Sequence, residues 1–366
     1  MATHPQQILR LLARMHHAFR GGDHANLQAT TSALLQHLHI LRPSEVATVM
    51  NHLAHAKMLD ASIWQRVSDA LPDLFVDPTS KALGLAANAY ARAMLKHDVA
   101  LEAIAASALK LCAQDSIEGR NIAMLVNAFS KLRIRNVALM DALASQLVVR
   151  ATDLNEIDLA NVANGFGRLT LPNAALLDAL KSPIQQTMGS FSTQNLAMIA
   201  DAYARMRRRD EELLDMVALQ LHRKCGEGTP ISGQLLPSII HAFAARLEAC
   251  PRHFVSAVEF SLPRVVQDIQ TRDLLLAVPP LASIPGLQAP PAFCRPVFAR
   301  CLDALPALTC RAALDLLDAA ARLRHACGDF WPAAAGVCGE AVARGTWDRC
   351  LGRLALLVVG LPPRDG

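Results

Sequence analysis

No stretch of this chain approaches the ~20 uninterrupted apolar residues of a transmembrane helix, although 52% of its 366 residues are hydrophobic. A membrane span is therefore not expected. No run alternates polar and apolar residues for long enough to argue a sheet. Nine cysteines are present without a single Cys-x-x-Cys, and seven of them are scattered singly from Cys250 to Cys350. That excludes a zinc-ribbon spacing and fits free thiols buried as small hydrophobes in a reducing compartment. His52-x-x-His55 and His37-x-His39 lack an evident third ligand, so they read as surface or interfacial histidines and no metal is expected. A glycine-rich phosphate loop, a Gly-x-Ser-x-Gly elbow and spaced acidic ligand clusters are all missing. The chain reads as a non-enzyme without a cofactor. Net charge is only +4, which by itself argues neither for nor against nucleic acid.

What is present is one recurring phrase, cleanest at Leu159-Ala-Asn-Val-Ala-Asn-Gly-Phe-Gly-Arg-Leu169. Copies begin at Leu83, Ile122 and Leu196. With the polar residue before the small-aromatic pair as anchor, they fall at Asn88, Asn127, Asn164 and Asp201. Looser copies anchor at Asn51 and His241. Beyond residue 250 the phase is kept by Pro279, Asp318 and Val359, so the period runs over 37–41 residues. A fixed period of this size marks units that cannot bury their apolar faces alone. At 366 residues it implies an all-α solenoid of about nine or ten antiparallel helix pairs rather than two or three globular domains.

On a helix turning 100° per residue, Leu159, Val162, Phe166 and Leu169 form one apolar stripe, and Asn161, Asn164 and Arg168 fall almost opposite. Gly165 and Gly167 lie on the flanks. The Gly167 flank is Ala54, Ala91, Ser130, Ala204 and Ala244 in the other units, small enough for close neighbours. This is the division of a solenoid's lining helix. A second helix follows in each unit, such as residues 136–147. Turn-and-cap stretches such as Arg42-Pro-Ser-Glu45, Asp77-Pro-Thr-Ser80, Asn155-Glu-Ile-Asp158 and Ser190-Phe-Ser-Thr-Gln194 restart the cycle. Pro279-Pro280 is expected to break its lining helix.

Two registers decide the functional reading. The aromatic slot two residues after the anchor holds Tyr90, Phe129, Phe166, Tyr203 and Phe243. It lies inside the apolar stripe, so core packing is expected there rather than a base-stacking ladder. Four residues after the anchor stand His55, Arg92, Lys131, Arg168 and Arg205, each beside its anchor on the helix surface. The pairs Asn88 with Arg92, Asn127 with Lys131, Asn164 with Arg168 and Asp201 with Arg205 are thus candidate nucleic-acid contacts. Arg133, Arg135, Arg207, Arg208 and Arg209 add charge nearby. A ligand with its own repeat fits this register: phosphates for the cations, base edges or sugars for the amides. The bland alternative is a solvated face in which Asn and Arg hydrogen-bond to adjacent repeats.

Three segments emerge from these patterns. Residues 1–22 contain no acid and carry Arg10, Arg14 and Arg20 beside an apolar side. They read either as a mitochondrial targeting segment or as a degenerate first repeat with Arg14 in the anchor slot, and both hold if import needs no cleavage. Residues 23–249 form the regular solenoid. Residues 250–366 hold twelve of the twenty prolines and form an irregular continuation, a cap or docking surface for other proteins.

The phrases at 121–132 and 191–206 resemble heptatricopeptide repeats, which belong with the RAP-domain helical-repeat proteins of apicomplexan and related organelles. They are similar, too, to FAST-kinase-like proteins and to the helical-repeat subunit of the trypanosome RNA-editing substrate-binding complex. The resemblance covers about residues 44–247. It implies an organellar protein, in the mitochondrial matrix or alternatively a plastid. Such a protein binds single-stranded mitochondrial mRNA or rRNA during processing, stabilisation or ribosome assembly. The chain departs from the pattern in lacking a recognisable C-terminal RAP domain, so the resemblance does not carry over a nuclease-like activity. The competing class is a protein-interaction scaffold of the HEAT or armadillo type without direct RNA contact.

Overall fold

The computed structural model describes residues 4–208, 210–244, 250–284, 287, 291–323 and 330–343. Among them are eighteen α-helices in nine successive pairs, and no strand. Arg209, Cys327, Cys350 and the last anchor Val359 lie outside the described residues. Two compact units divide the chain, residues 1–187 and 188–366. The first holds α1 (His4–Gly21), α2 (His24–Leu35), α3 (Pro43–His55), α4 (Ala61–Leu74) and α5 (Ser80–Ala93). It continues with α6 (Asp98–Ala113), α7 (Gly119–Lys131), α8 (Val137–Arg150), α9 (Glu156–Leu169) and α10 (Ala174–Gln186). The second holds α11 (Thr193–Arg205), α12 (Glu211–Gly226), α13 (Leu236–Ala244) and α14 (Arg252–Val265). After these come α15 (Thr271–Ala282), α16 (Pro291–Ala304), α17 (Cys310–Arg322) and α18 (Phe330–Ala343).

Packing obeys the repeat. In the first unit α3, α5, α7 and α9 stack in order as one layer, and α4, α6, α8 and α10 as the other. In the second unit α11, α13, α15 and α17 do the same, backed by α12, α14, α16 and α18. This is the all-α helical-repeat solenoid that the period requires.

The turns explain why each pair folds back so sharply. Lys57, Met94, Arg133, Thr170 and Arg207 all sit six residues after their anchors and all have left-handed backbone, with φ from 53° to 56°. The amide one residue later then reaches back to close the helix, as in Leu95 N to Tyr90 O (3.0 Å) and Ile134 N to Phe129 O (2.9 Å). A non-glycine residue in this region costs roughly 1–2 kcal/mol, so five in register mark a turn held by packing on both sides. The next helix begins on a side-chain cap. Asn136 Oδ1 accepts from Leu139 N and Asn173 Oδ1 from Leu176 N, each at 3.0 Å. Thr79, Asn155 and Ser192 cap the lining helices as their stretches suggest. At Arg42-Pro-Ser-Glu45 it is Glu45 that closes the helix start, accepting from Arg42 N at 2.8 Å.

Small flanks let the lining helices touch. A Cβ on Gly165 would collide with the Val126 side chain and lie 3.2 Å from the Val126 carbonyl oxygen, so α9 meets the backbone of α7 there. The aromatic slot is core. Tyr90, Phe129, Phe166, Tyr203 and Phe243 are all at most 1% exposed, which rules out a stacking ladder. The Tyr90 hydroxyl lies 2.6 Å from Ser68 Oγ, and burial pushes its pKa up to about 12. Cys112, Cys225, Cys294, Cys301 and Cys338 are buried free thiols, and burial pushes Cys301 up to about 12. No helix of the described residues is long and apolar enough to cross a membrane.

The break expected at Pro279-Pro280 does not occur: α15 runs through both prolines to Ala282. They stand in its last turn, where the lost bonds are those to the carbonyls of Leu275 and Leu276. Leu276 is 64% exposed, so water replaces a donor there cheaply.

At the other end α1 packs on α2 and α3, burying Met15 and Ala18, with Arg14 in the anchor slot donating to Asn26 Oδ1 at 2.7 Å. This contact runs through a pair of histidines. His52 donates from Nδ1 to the Thr48 carbonyl (2.7 Å), which leaves its Nε2, 3.0 Å away, to accept from His16 Nδ1. Burial holds His52 below the ordinary 6.5; the Thr48 bond opposes that shift, and His16 adds to it. Burial likewise lowers His55, with Arg92 next in effect. His16 and His52 line a cleft between α1 and α3, and Glu45 is the carboxylate that lines it with them. Because the folded values are depressed, the unfolded chain binds more protons as pH falls. The stability of this contact is complete above 6.5 and declines below it. Melting followed from pH ~7.5 to ~5 should show a falling midpoint, and His52→Gln should flatten that dependence. An unchanged slope in the variant would refute the assignment.

Candidate nucleic-acid interface

Each lining helix leaves one row of side chains open to solvent, at positions −7, −3, 0 and +4 from its anchor. On α5 the row is Lys81, Leu85, Asn88 and Arg92. On α7 it is Arg120, Met124, Asn127 and Lys131. On α9 it is Ile157, Asn161, Asn164 and Arg168. The anchors are half-buried and the cations four residues on are exposed. Rows in adjacent helices lie ~8–10 Å apart. The spacing rests on the close flanks: helices separated by bulky side chains would spread the cations beyond the reach of one strand.

The register cations on α5, α7 and α9 are unpaired. Arg92, Lys131 and Arg168 form no ion pair or side-chain hydrogen bond among the described residues, and neither do the amides of Asn88, Asn127 and Asn164. The hydrogen-bond ladder that would make this face merely structural is therefore missing from the register itself. Polar contacts between repeats exist elsewhere, at Asn121 Nδ2 to Ser80 Oγ (2.9 Å) and at Arg150 to Asp115 Oδ1 (2.6 Å). Both fall away from the open row. Leaving three cations exposed and unpaired costs the fold little, since each keeps its water.

The second unit differs. Arg205 Nε lies 2.6 Å from Asp201 Oδ2, and Arg322 Nε lies 2.9 Å from Asp318 Oδ2. An acid in the anchor slot captures the cation one turn later. The pair that reads in sequence as two ligand contacts is here one closed ion pair, with little positive field left for a phosphate. Arg133, Arg135 and Arg207 are exposed at the turns, whereas Arg208 is half-buried with a partner.

Two further cations belong to the open rows. Lys81 and Arg120 stand eleven residues before Arg92 and Lys131, ~16 Å along the same helix face. Their signal stands in the sequence seven residues before each anchor, just outside the eleven-residue phrase. The outer layer is of mixed sign: α4, α6, α8 and α10 expose Asp69, Asp73, Glu102, Asp141 and Asp178 beside Arg66 and Lys110. Among the described residues no His, Cys, Asp or Glu side chains gather as a metal-binding set.

Residues 75–222, which span α5 to α12, match the family model described as RNA-editing substrate-binding complex 6 protein. The match agrees with the likeness to an editing-complex helical-repeat subunit carried by the phrases at 121–132 and 191–206. No curated protein matches the chain.

Proposed function

We propose that the chain is a non-catalytic, RNA-binding subunit of an RNA-editing or RNA-processing assembly. Arg92, Lys131 and Arg168 each meet a phosphate of one single strand running across α5, α7 and α9. Asn88, Asn127 and Asn164, one turn away on the same face, contact base edges or sugars. One observation carries this reading: three cations recur in register, exposed and unpaired, while their amide neighbours are unpaired too. The family match adds an assembly named for an RNA-editing substrate. The acid-free N-terminal segment supports a mitochondrial location. In the second unit, the closed pairs Asp201–Arg205 and Asp318–Arg322 favour a protein partner over a phosphate chain.

Crosslinking in cells, with sequencing of the RNA recovered with the full chain, tests the reading. Organellar transcripts are the expected yield, reduced when Arg92, Lys131 and Arg168 are neutralised together. Recovery of no RNA, with protein partners retained by the neutralised variant, would leave the scaffold reading in its place.

A further inference from the structure

Between the first turn of α6 and the turn joining α7 to α8 lies a cleft of about 400 Å³ in the first unit. Small-ligand sites occupy ~300–1,000 Å³. Ile134 gives its floor an apolar edge, with Leu101 and Phe129 buried beneath, while Asp98, Glu102 and Arg135 make its rim charged and of both signs. All three rim residues are exposed, and none forms an ion pair or side-chain hydrogen bond among the described residues. Asn136, also at the rim, is committed to capping α8.

Opposite charges that line one cleft without meeting leave room for something between them. A bare phosphate would suit Arg135 but face two carboxylates. A bare amine would suit the carboxylates but face Arg135. The occupant has to offer paired donors at one end, an anion at the other and a flat apolar body between. Guanine carries N1–H and N2–H2 side by side on its Watson–Crick edge, matching the two oxygens of a carboxylate, and its phosphate supplies the anion. Adenine and uracil lack two adjacent donors on that edge. The composition is peculiar to this repeat. The positions equivalent to Asp98, Glu102 and Arg135 one repeat later are Val137, Asp141 and Pro172.

We propose that this cleft takes an unstacked guanine, with Asp98 and Glu102 accepting from its N1–H and N2–H2 and Arg135 facing its phosphate. The inference rests on the strand-binding reading for the source of the base, since Lys131 and Arg133 bring a backbone to the same turn. It would give the interface a point of sequence preference that the register of cations lacks.

The test compares two single-stranded RNAs, one with a single guanosine and one with inosine in its place, binding the full chain, with guanosine monophosphate as a separate probe. Inosine keeps the ring and loses the 2-amino donor. Affinity for the inosine strand should be roughly tenfold weaker. Asp98→Ala with Glu102→Ala should erase that difference, weakening the guanosine strand to the level of the inosine strand. Arg135→Gln should weaken both strands alike. Equal binding of the two strands by the wild-type chain, with normal salt dependence, overturns the guanine site and leaves the strand reading intact. Binding of guanosine monophosphate that depends on Glu102, with neither strand bound, upholds the site and removes the strand reading. Failure of every probe removes both.

Discussion

Phe166→Ala is expected to destabilise the first unit by about 3–5 kcal/mol, the cost of deleting a large buried ring and leaving its cavity. Phe166 is 1% exposed and belongs to the stripe that fastens α9 into the stack. Relaxation into the space is restricted, because Gly165 beside it already presses α9 onto the backbone of α7. Its carbonyl accepts the turn-closing bond from Leu171 N (3.1 Å), which an alanine would retain. The loss is therefore one of packing and not of the turn. In a repeat stack the damage stays with nearest neighbours. Urea unfolding monitored by circular dichroism should show an early transition for the first unit while the rest of the signal is unmoved. Arg168→Gln, two residues away, is the matched control and should stay within about 0.5 kcal/mol of the native chain. A Phe166→Ala loss no larger than that control would remove the slot from the core and reopen the stacking role.

The aromatic slot was readable from the chain alone because its period coincides with the helix period. Leu159, Val162, Phe166 and Leu169 share a stripe under any packing, and Gly165 had to be small for any close flank. Other features depend on partners that periodicity does not name. Asp201 and Arg205 occupy the same slots as Asn164 and Arg168. Whether such a pair faces a ligand or closes on itself turns on one carboxylate oxygen, and i,i+4 pairing of opposite charges decides it. Pro279 and Pro280 were legible as breakers but not as occupants of a final turn, since the place where a helix ends depends on the residues beyond it. The cleft was not legible at all. Asp98 and Glu102 come from one repeat and Arg135 from the next, and only the packing of α6 beside α8 brings them to a common rim. His52 was legible only as a surface or interfacial histidine. That its interface is α1, through His16, required the first repeat to be in place.

Replacing Arg92, Lys131 and Arg168 together by Gln should weaken binding of single-stranded RNA by about 100-fold at ~0.1 M salt, and flatten the salt dependence of log affinity by about 2. Counterion release sets that size, since each neutralised phosphate of a single strand contributes roughly −0.7 to the slope. The Lys81 and Arg120 rows add to the total, so the difference between chains is the readout and not the absolute slope. Stability should barely change, because none of the three cations has a protein partner to lose. Arg205→Gln supplies the internal comparison. It removes a cation of the same register, but one already held by Asp201 at 2.6 Å. Its effect on the slope should be near zero, against about 0.7 for Arg168→Gln alone. Asn164→Ala should leave the slope unchanged and lower affinity for a preferred sequence more than for a scrambled one, since an amide reads base edges and a phosphate-bound cation does not. If Arg205→Gln and Arg168→Gln flatten the slope equally, pairing with Asp201 does not withhold the cation, and the interface cannot be confined to helices whose anchors are amides. If the triple variant keeps the native slope while its melting point falls, the register is a structural feature and the phosphate contacts lie elsewhere.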